Sequence, residues 1–271
     1  MALTWEAIGA LFMAAFCYGV ATCLFFLALY KTILVSLVIS QKAKLPKVRR
    51  KGTPVHLLIV LGSGGHTAEM MAILERSLDI SVYTYRTYVV SSGDVLSAQK
   101  AVDLETSMAK RNGIEKRNHG YSIVSIPRAR RVHQSYLTAP FSTLHCFWNC
   151  LLVLSGRHSE QKQLPAQYES YRPDIIIANG PAVAVCMIIA AKCIRFYTFC
   201  SRWVAKRGSD AQVPRLRTIY IESWARVERL SVSGRILLPI ADQFLVQWAP
   251  LAGLRAWWGM KPTVFCGWVV L

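Results

Sequence analysis

The sequence predicts an α/β fold with a parallel sheet behind a single N-terminal membrane helix, and three observations predict it. His56–Leu61 (HLLIVL) is a continuous apolar run of the kind found in a strand buried on both faces. From there to the C-terminus, short β-type runs alternate with helical patterns, which implies βαβ units. Upstream, Ala7–Tyr30 carries no charge, and as a helix it reaches roughly 36 Å against a hydrocarbon core of about 30 Å. Once that anchor is set aside, the remaining length fits one Rossmann-like domain.

The anchor comes first in the chain. A signal peptide opens with basic residues and has a short apolar core, whereas here Glu6 precedes a long run with no Lys or Arg before it. The basic cluster follows instead, at Lys42, Lys44, Lys47, Arg49, Arg50 and Lys51. The positive-inside rule therefore predicts a single span with the N-terminus across the membrane and the rest in the cytosol. The resulting division is an anchor over 1–40, a basic linker over 41–54 and a cytosolic domain over 55–271.

Within that domain the pattern predicts a helix over Thr67–Arg76, a strand over Ser81–Val90 and a helix over Val95–Arg111. A strand over Tyr121–Ile126 and a helix over Phe141–Leu154 come next, then a strand over Asp174–Ala178 and a helix over Ala182–Lys192. Later strands are expected at Ile194–Phe199, Arg217–Ile221, Gln243–Gln247 and Thr263–Cys266. Asn179-Gly180-Pro181 is a turn signal that splits the apolar stretch Ile175–Ala191 into strand and helix. Tyr136–Leu154 is also uncharged but holds Pro140, His145 and Asn149. Were it to span the membrane, pieces of one sheet would fall in different compartments, so it reads as a helix in the membrane interface or packed on the core.

Composition narrows the function classes. The chain has 32 Lys+Arg against 15 Asp+Glu, a net charge of +17, and 53% hydrophobic residues, which excludes disorder. The apolar residues lie mostly in short runs, which excludes a polytopic membrane protein. The basic residues spread over many segments, which suits anionic lipid better than nucleic acid. Eight cysteines form no CxxC pair and six histidines form no HxxxH or HExxH pair, so neither a metal site nor a disulfide framework is predicted.

Three segments carry the chemistry. The first βα turn reads Gly62-Ser63-Gly64-Gly65-His66-Thr67-Ala68-Glu69. A glycine-rich turn leading into a helix lets backbone approach a phosphate, and the helix N-terminus binds its charge. A dinucleotide fingerprint would need its last glycine at Thr67, so that pattern fails. The second is Ile126-Pro127-Arg128-Ala129-Arg130-Arg131-Val132-His133-Gln134-Ser135-Tyr136, where three arginines follow a strand end, a phosphate-binding loop or a solvated basic one. The third is Glu222-Ser223-Trp224-Ala225-Arg226-Val227, again at a strand end.

In this order the three segments, with Asn179-Gly180-Pro181 and Asp242–Trp248, resemble one family: the membrane-anchored, acceptor-side subunits of the dolichol-pathway UDP-N-acetylglucosamine transferase. The resemblance rests on GSGGHTAEM (Gly62–Met70), IPRARRVHQSY (Ile126–Tyr136) and ESWARV (Glu222–Val227), and runs from Pro54 to the C-terminus. It implies the acceptor-binding half of a GT-B glycosyltransferase split between two chains, resident in the ER membrane. The partner is implied to be a small cytosolic UDP-GlcNAc-binding catalytic subunit, and the acceptor dolichyl-diphosphate-GlcNAc; no cofactor is implied. The reaction implied is an inverting, metal-independent transfer of the second GlcNAc, and the chain is expected to be inactive alone.

Residue by residue, the acceptor diphosphate is expected at Gly62, Ser63, Gly64, Gly65, His66 and Thr67 with Arg128, Arg130 and Arg131. His66 is the candidate general base and Glu222 the second candidate, with the helix dipole expected to lower the His66 pKa. Asn179, Gly180, Pro181, Ser223 and Arg226 are expected to face the acceptor or the partner. Trp248, Trp257, Trp258 and Trp268 crowd the C-terminal region, where Trp268, Val269, Val270 and Leu271 are expected to bind the partner. The alternative is a non-catalytic scaffold that only recruits a soluble enzyme to the membrane.

Overall fold

The computed structural model describes residues 5–42, 54–112, 120–130, 134–135, 137–165, 167–168, 170–180, 182–204 and 216–268. The chain divides into two units, Met1–Ala43 and Lys44–Leu271. The first is one helix, α1 (Trp5–Lys42), whose segment Met13–Thr32 is long and apolar enough to cross a membrane.

In the second unit the described residues form a seven-stranded sheet, every neighbouring pair parallel. The elements are β1 (His56–Val60), α2 (Gly65–Ser77), β2 (Tyr85–Ser91), α3 (Val95–Asn112), β3 (Gly120–Ile126), α4 (Ala139–Leu154), β4 (Ile175–Asn179), α5 (Ala182–Val204), β5 (Arg217–Ile221), α6 (Val232–Leu237), β6 (Gln243–Val246) and β7 (Val264–Phe265). Their order across the sheet is β3-β2-β1-β4-β5-β6-β7. This is a Rossmann-like sheet. β1 lies near its middle, with Leu57 in register with Arg86 of β2 and with Ile175 of β4.

Alternation along the strands builds two cores. Leu57, Ile59 and Leu61 pack with Met70 and Leu74 of α2 and Leu104 of α3. Leu58 and Val60 face the other way, into Cys146 and Val153 of α4 and Met187 and Ile188 of α5. All five β1 residues are buried because helices cover both faces, which is why the strand reads as unbroken apolar sequence. A buried ion pair ties β2 to α3: Arg86 Nε and Nη2 donate to the two Glu105 oxygens at 2.6 and 2.8 Å, and the Tyr88 hydroxyl donates to Oε1 at 2.7 Å.

Two expected strands differ. Ile194–Phe199 is the continuation of α5, not a strand. Nothing between Ala182 and Val204 breaks the helix, and its three-residue spacing puts Lys192 and Arg195 on one face, where both bind Asp242. Tertiary pairing overrides the β preference of that aromatic run. The second strand starts at Tyr85 rather than Ser81, because Asp79 captures its backbone locally. Its carboxylate accepts from Ser81 N at 2.9 Å, and its carbonyl accepts from Tyr83 N at 2.9 Å.

Helix α4 answers the question left by Tyr136–Leu154, of which Tyr136 lies outside the described residues. One face, with Cys146, Cys150, Val153 and Leu154, is buried in the domain. The other exposes Phe141, Leu144 and Trp148, in line with the exposed Leu137 just before the helix.

His56 stores pH sensitivity in the core. Its Nε2 meets Thr87 Oγ1 at 2.8 Å and the ring is 1% exposed, so burial lowers its pKa to about 3. The unfolded chain binds a proton near 6.5 that the folded one refuses, so stability falls as pH drops through that window. Between pH 7 and 5 this group alone should remove about 2 kcal/mol. Urea unfolding of the detergent-solubilised protein at both pH values checks it: His56→Gln should flatten the dependence, and an unchanged slope would refute the assignment.

Candidate active site

The strand order reverses at β1, which has β2 on one side and β4 on the other. In open parallel sheets the crevice beyond such a reversal, at the carboxyl ends of the strands, is where ligands bind. The turn after β1 leads straight into it. Gly64 has φ 62° and ψ −121°, a conformation open to glycine alone, and a Cβ at Gly64 or Gly65 would meet nothing within 4 Å. Ser63, Gly64 and Gly65 are thus exposed on an open surface, while Gly62 is buried beneath them. α2 begins there with no side-chain cap and no acidic residue in its first turn, which leaves its leading amides suited to an anion.

Thr67 braces this turn from below. It is buried, its hydroxyl donates to the Gly62 carbonyl, and it shares a 2.7 Å hydrogen bond with Ser97, which Asp94 holds at 2.7 Å.

His66 crosses the crevice to β4. Its Nδ1 lies 3.2 Å from Asn179 Oδ1 and 3.8 Å from Glu69 Oε2. The ring lies against Gly180, whose φ is +89° and where a Cβ would stand 2.7 Å from His66 Cγ. The glycine of the Asn179-Gly180 turn therefore makes room for the imidazole. The His66 pKa is raised, first by the Glu69 carboxylate 3.8 Å from Nδ1, with the Asn179 hydrogen bond and the charge of Glu222 adding to the effect against the cost of burial. The expected lowering by the helix dipole is corrected: a carboxylate one helical turn away outweighs the dipole.

Glu69 is the residue that sequence reasoning passed over. It is 6% exposed, yet it accepts from Ser223 Oγ at 3.2 Å, from the Trp224 amide and from Gln247 Nε2. Burial works to raise its pKa, but His66, Asn179, the Trp224 amide and Gln247 together hold it below the usual carboxylate value. One carboxylate thus joins α2 to the ends of β5 and β6. The only sequence signal was its position three residues after His66, on the same helix face.

Glu222 is also buried, but it turns the other way. Its oxygens accept from the Ser223 amide at 3.1 Å and from the Ser231 amide and hydroxyl at 3.1 and 3.2 Å, closing the N-terminus of α6. Burial raises its pKa. Ser223 is buried beside Glu69, and Arg226 is exposed.

Residues 57–260 match the model of one family, oligosaccharide biosynthesis protein Alg14 like. The chain belongs to that family. It is similar to the UDP-N-acetylglucosamine transferase subunit alg14 of Aspergillus fumigatus, 50% identical over 229 residues, which cover 74% of this chain and 100% of that one. The subunit of the same name in Schizosaccharomyces pombe is 34% identical over 81% of this chain and 87% of its own. The subunit in Rattus norvegicus is 32% identical over 72% and 76%. No solved structure matches the chain at comparable significance.

In this Alg14-like chain two of the remaining expected residues, Arg128 and Arg130, follow β3 at the same sheet edge but further out. Arg128, at the end of β3, donates from Nε to the Ser92 carbonyl at 3.2 Å, and Arg130 reaches the Gln134 carbonyl at 3.4 Å. β3 is two strands from β1, roughly 10 Å away. Arg131, Pro181, Val269, Val270 and Leu271 lie outside the described residues. Trp268 is 56% exposed and packs on Trp248 with ring centroids 5.8 Å apart. Trp248 packs in turn on Trp224 at 5.9 Å, and its Nε1 donates to the Trp224 carbonyl. Trp258 is 97% exposed. The aromatic patch therefore adjoins the Glu69 network through Trp224, a neighbour that spacing in the sequence did not reveal.

Proposed function

We propose that this chain is the membrane-anchored, acceptor-binding subunit of the UDP-GlcNAc transferase that adds the second GlcNAc to dolichyl-diphosphate-GlcNAc at the ER membrane. The observation that carries the proposal is the His66–Asn179 contact across the β1/β4 crevice, beside a glycine turn open to an anion. The acceptor diphosphate would lie on the Gly62–Thr67 turn, with Arg128 and Arg130 gathering charge along the edge. Its GlcNAc 4-hydroxyl attacks the anomeric carbon of UDP-GlcNAc, the hydroxyl proton passes to His66 Nε2, and UDP leaves with inversion. Nδ1 faces Asn179 Oδ1 and Glu69, both acceptors, so Nε2 is the nitrogen that takes the proton. Glu222, closed against α6, is less well placed for that role.

The raised His66 pKa supports a second reading, in which an imidazolium binds the acceptor diphosphate. The two differ in sign: as a base His66 works above its pKa, as a cation below it.

Two surfaces support the membrane and partner roles. The α1 segment Met13–Thr32 suits a span, and the stripe of Phe141, Leu144 and Trp148 on α4, with Leu137 just before it, suits the bilayer interface. The exposed Trp224–Trp248–Trp268 patch suits a small cytosolic subunit carrying UDP-GlcNAc, since one α/β domain supplies half of a GT-B cleft. Purified full-length chain should therefore transfer no GlcNAc to dolichyl-diphosphate-GlcNAc until the second subunit is added. Transfer by the chain alone would overturn the split-enzyme reading, and activity that survives loss of the Gly62–Thr67 turn would favour the scaffold.

A further inference from the structure

We propose that Glu69 is a positioning residue of the transferase, holding the His66 imidazole by its Nδ1 edge and tying it to the ends of β5 and β6. The inference rests on the reading of His66 as the base given above, and it adds a residue which that reading does not need.

The geometry leads to it in three steps. Glu69 and His66 are one helical turn apart on α2, with Nδ1 3.8 Å from Oε2, so the carboxylate lies beside the ring it influences. The imidazole is confined elsewhere too, by the backbone of Gly180 and by Asn179 Oδ1. Finally, Glu69 is itself immobilised: Ser223 Oγ, the Trp224 amide and Gln247 Nε2 all donate to it. A carboxylate needed only to close a helix on a sheet would not have to lie next to a half-exposed histidine. One fixed by three donors and set 3.8 Å from that histidine acts as the acidic partner of the imidazole: Asn179 Oδ1 takes the Nδ1 hydrogen bond at 3.2 Å, and Glu69 stabilises the imidazolium beside it.

Among the described residues, the groups that bear on the ring are few. Glu69 comes from its own helix and Glu222 from the end of β5, while β4 contributes the neutral Asn179 and Gly180. Both charged groups favour the protonated ring, and Glu69 is the larger influence. The Trp224 amide that binds Glu69 belongs to the aromatic patch, so partner docking and the state of His66 meet at this one carboxylate.

The test uses the assembled two-subunit complex in detergent, with imidazole nitrogens labelled with nitrogen-15 and the His66 signal assigned by its loss in His66→Asn. In the wild type, the neutral His66 ring should carry its proton on Nδ1; a ring protonated on Nε2 would overturn the proposal without any variant. In Glu69→Gln, which retains acceptors for Trp224 and Gln247, the His66 titration should move to lower pH. The acidic limb of kcat should move with it, and kcat should fall at least about tenfold. KM for UDP-GlcNAc should stay unchanged. A Glu69→Gln complex whose His66 titrates where the wild type does would show Glu69 to be merely structural. A fully active His66→Asn complex is a different failure: it sinks the base assignment, while the titration still decides whether Glu69 sets the charge of the ring.

Discussion

His66→Asn should lower kcat of the assembled transferase by about a hundred- to ten-thousand-fold, the usual worth of a general base. KM for UDP-GlcNAc should change little, because nothing in the crevice around His66 is assigned to the nucleotide. The protein should still co-purify with its partner, since the ring lies half-buried in the crevice and outside the tryptophan patch. Steady-state kinetics across pH separate the two roles open to this residue. For a base, activity rises with pH through the His66 pKa and the variant loses that limb. For a diphosphate-binding cation, activity declines above the pKa and the variant loses acceptor affinity more than turnover. A variant within a few-fold of wild type in both would remove His66 from the mechanism.

The second large effect comes from a residue with no side chain. Gly180→Ala places a methyl group 2.7 Å from His66 Cγ and 3.0 Å from its Cδ2 and Nδ1, at a backbone φ of +89°. The left-handed conformation costs about 1–2 kcal/mol for any other residue. The greater damage is displacement of the ring, which should cost roughly a hundredfold in kcat. Gly180→Ala built into His66→Asn should then lose little more activity than His66→Asn alone, because both changes remove the same catalytic group. If the two losses multiplied instead, Gly180 would act independently of the histidine.

These two residues mark how far the sequence could be read. The turn motifs and the run of strands were legible because they are local: a strand buried on both faces is apolar at every position, and a Gly-rich turn announces itself within a few residues. Ile194–Phe199 was misread because its helical state is enforced by Asp242, about fifty residues later. Glu69 escaped notice for the same reason: its donors Ser223, Trp224 and Gln247 stand 154, 155 and 178 positions downstream. The need for glycine at 180 was visible as a turn, but its cause, the His66 ring, was not. α6 carried a local signal that went unused, the Ser231 hydroxyl accepting from the Gly234 amide as an N-cap.

The pairing of β1 with β4 also governs when the protein acquires its site during synthesis. Asp174 receives the His56 amide across 118 positions, so at roughly 5–20 residues per second about 6–24 s separate the emergence of the two strands from the ribosome. Throughout that interval β1 can pair with β2, while its other edge waits with unsatisfied amides and carbonyls. His66 is made early and has no crevice to face until Asn179 arrives. A nascent chain halted before β4 would present an open sheet edge, a ready substrate for chaperones or for aggregation, and the crevice cannot form before Asn179 is made.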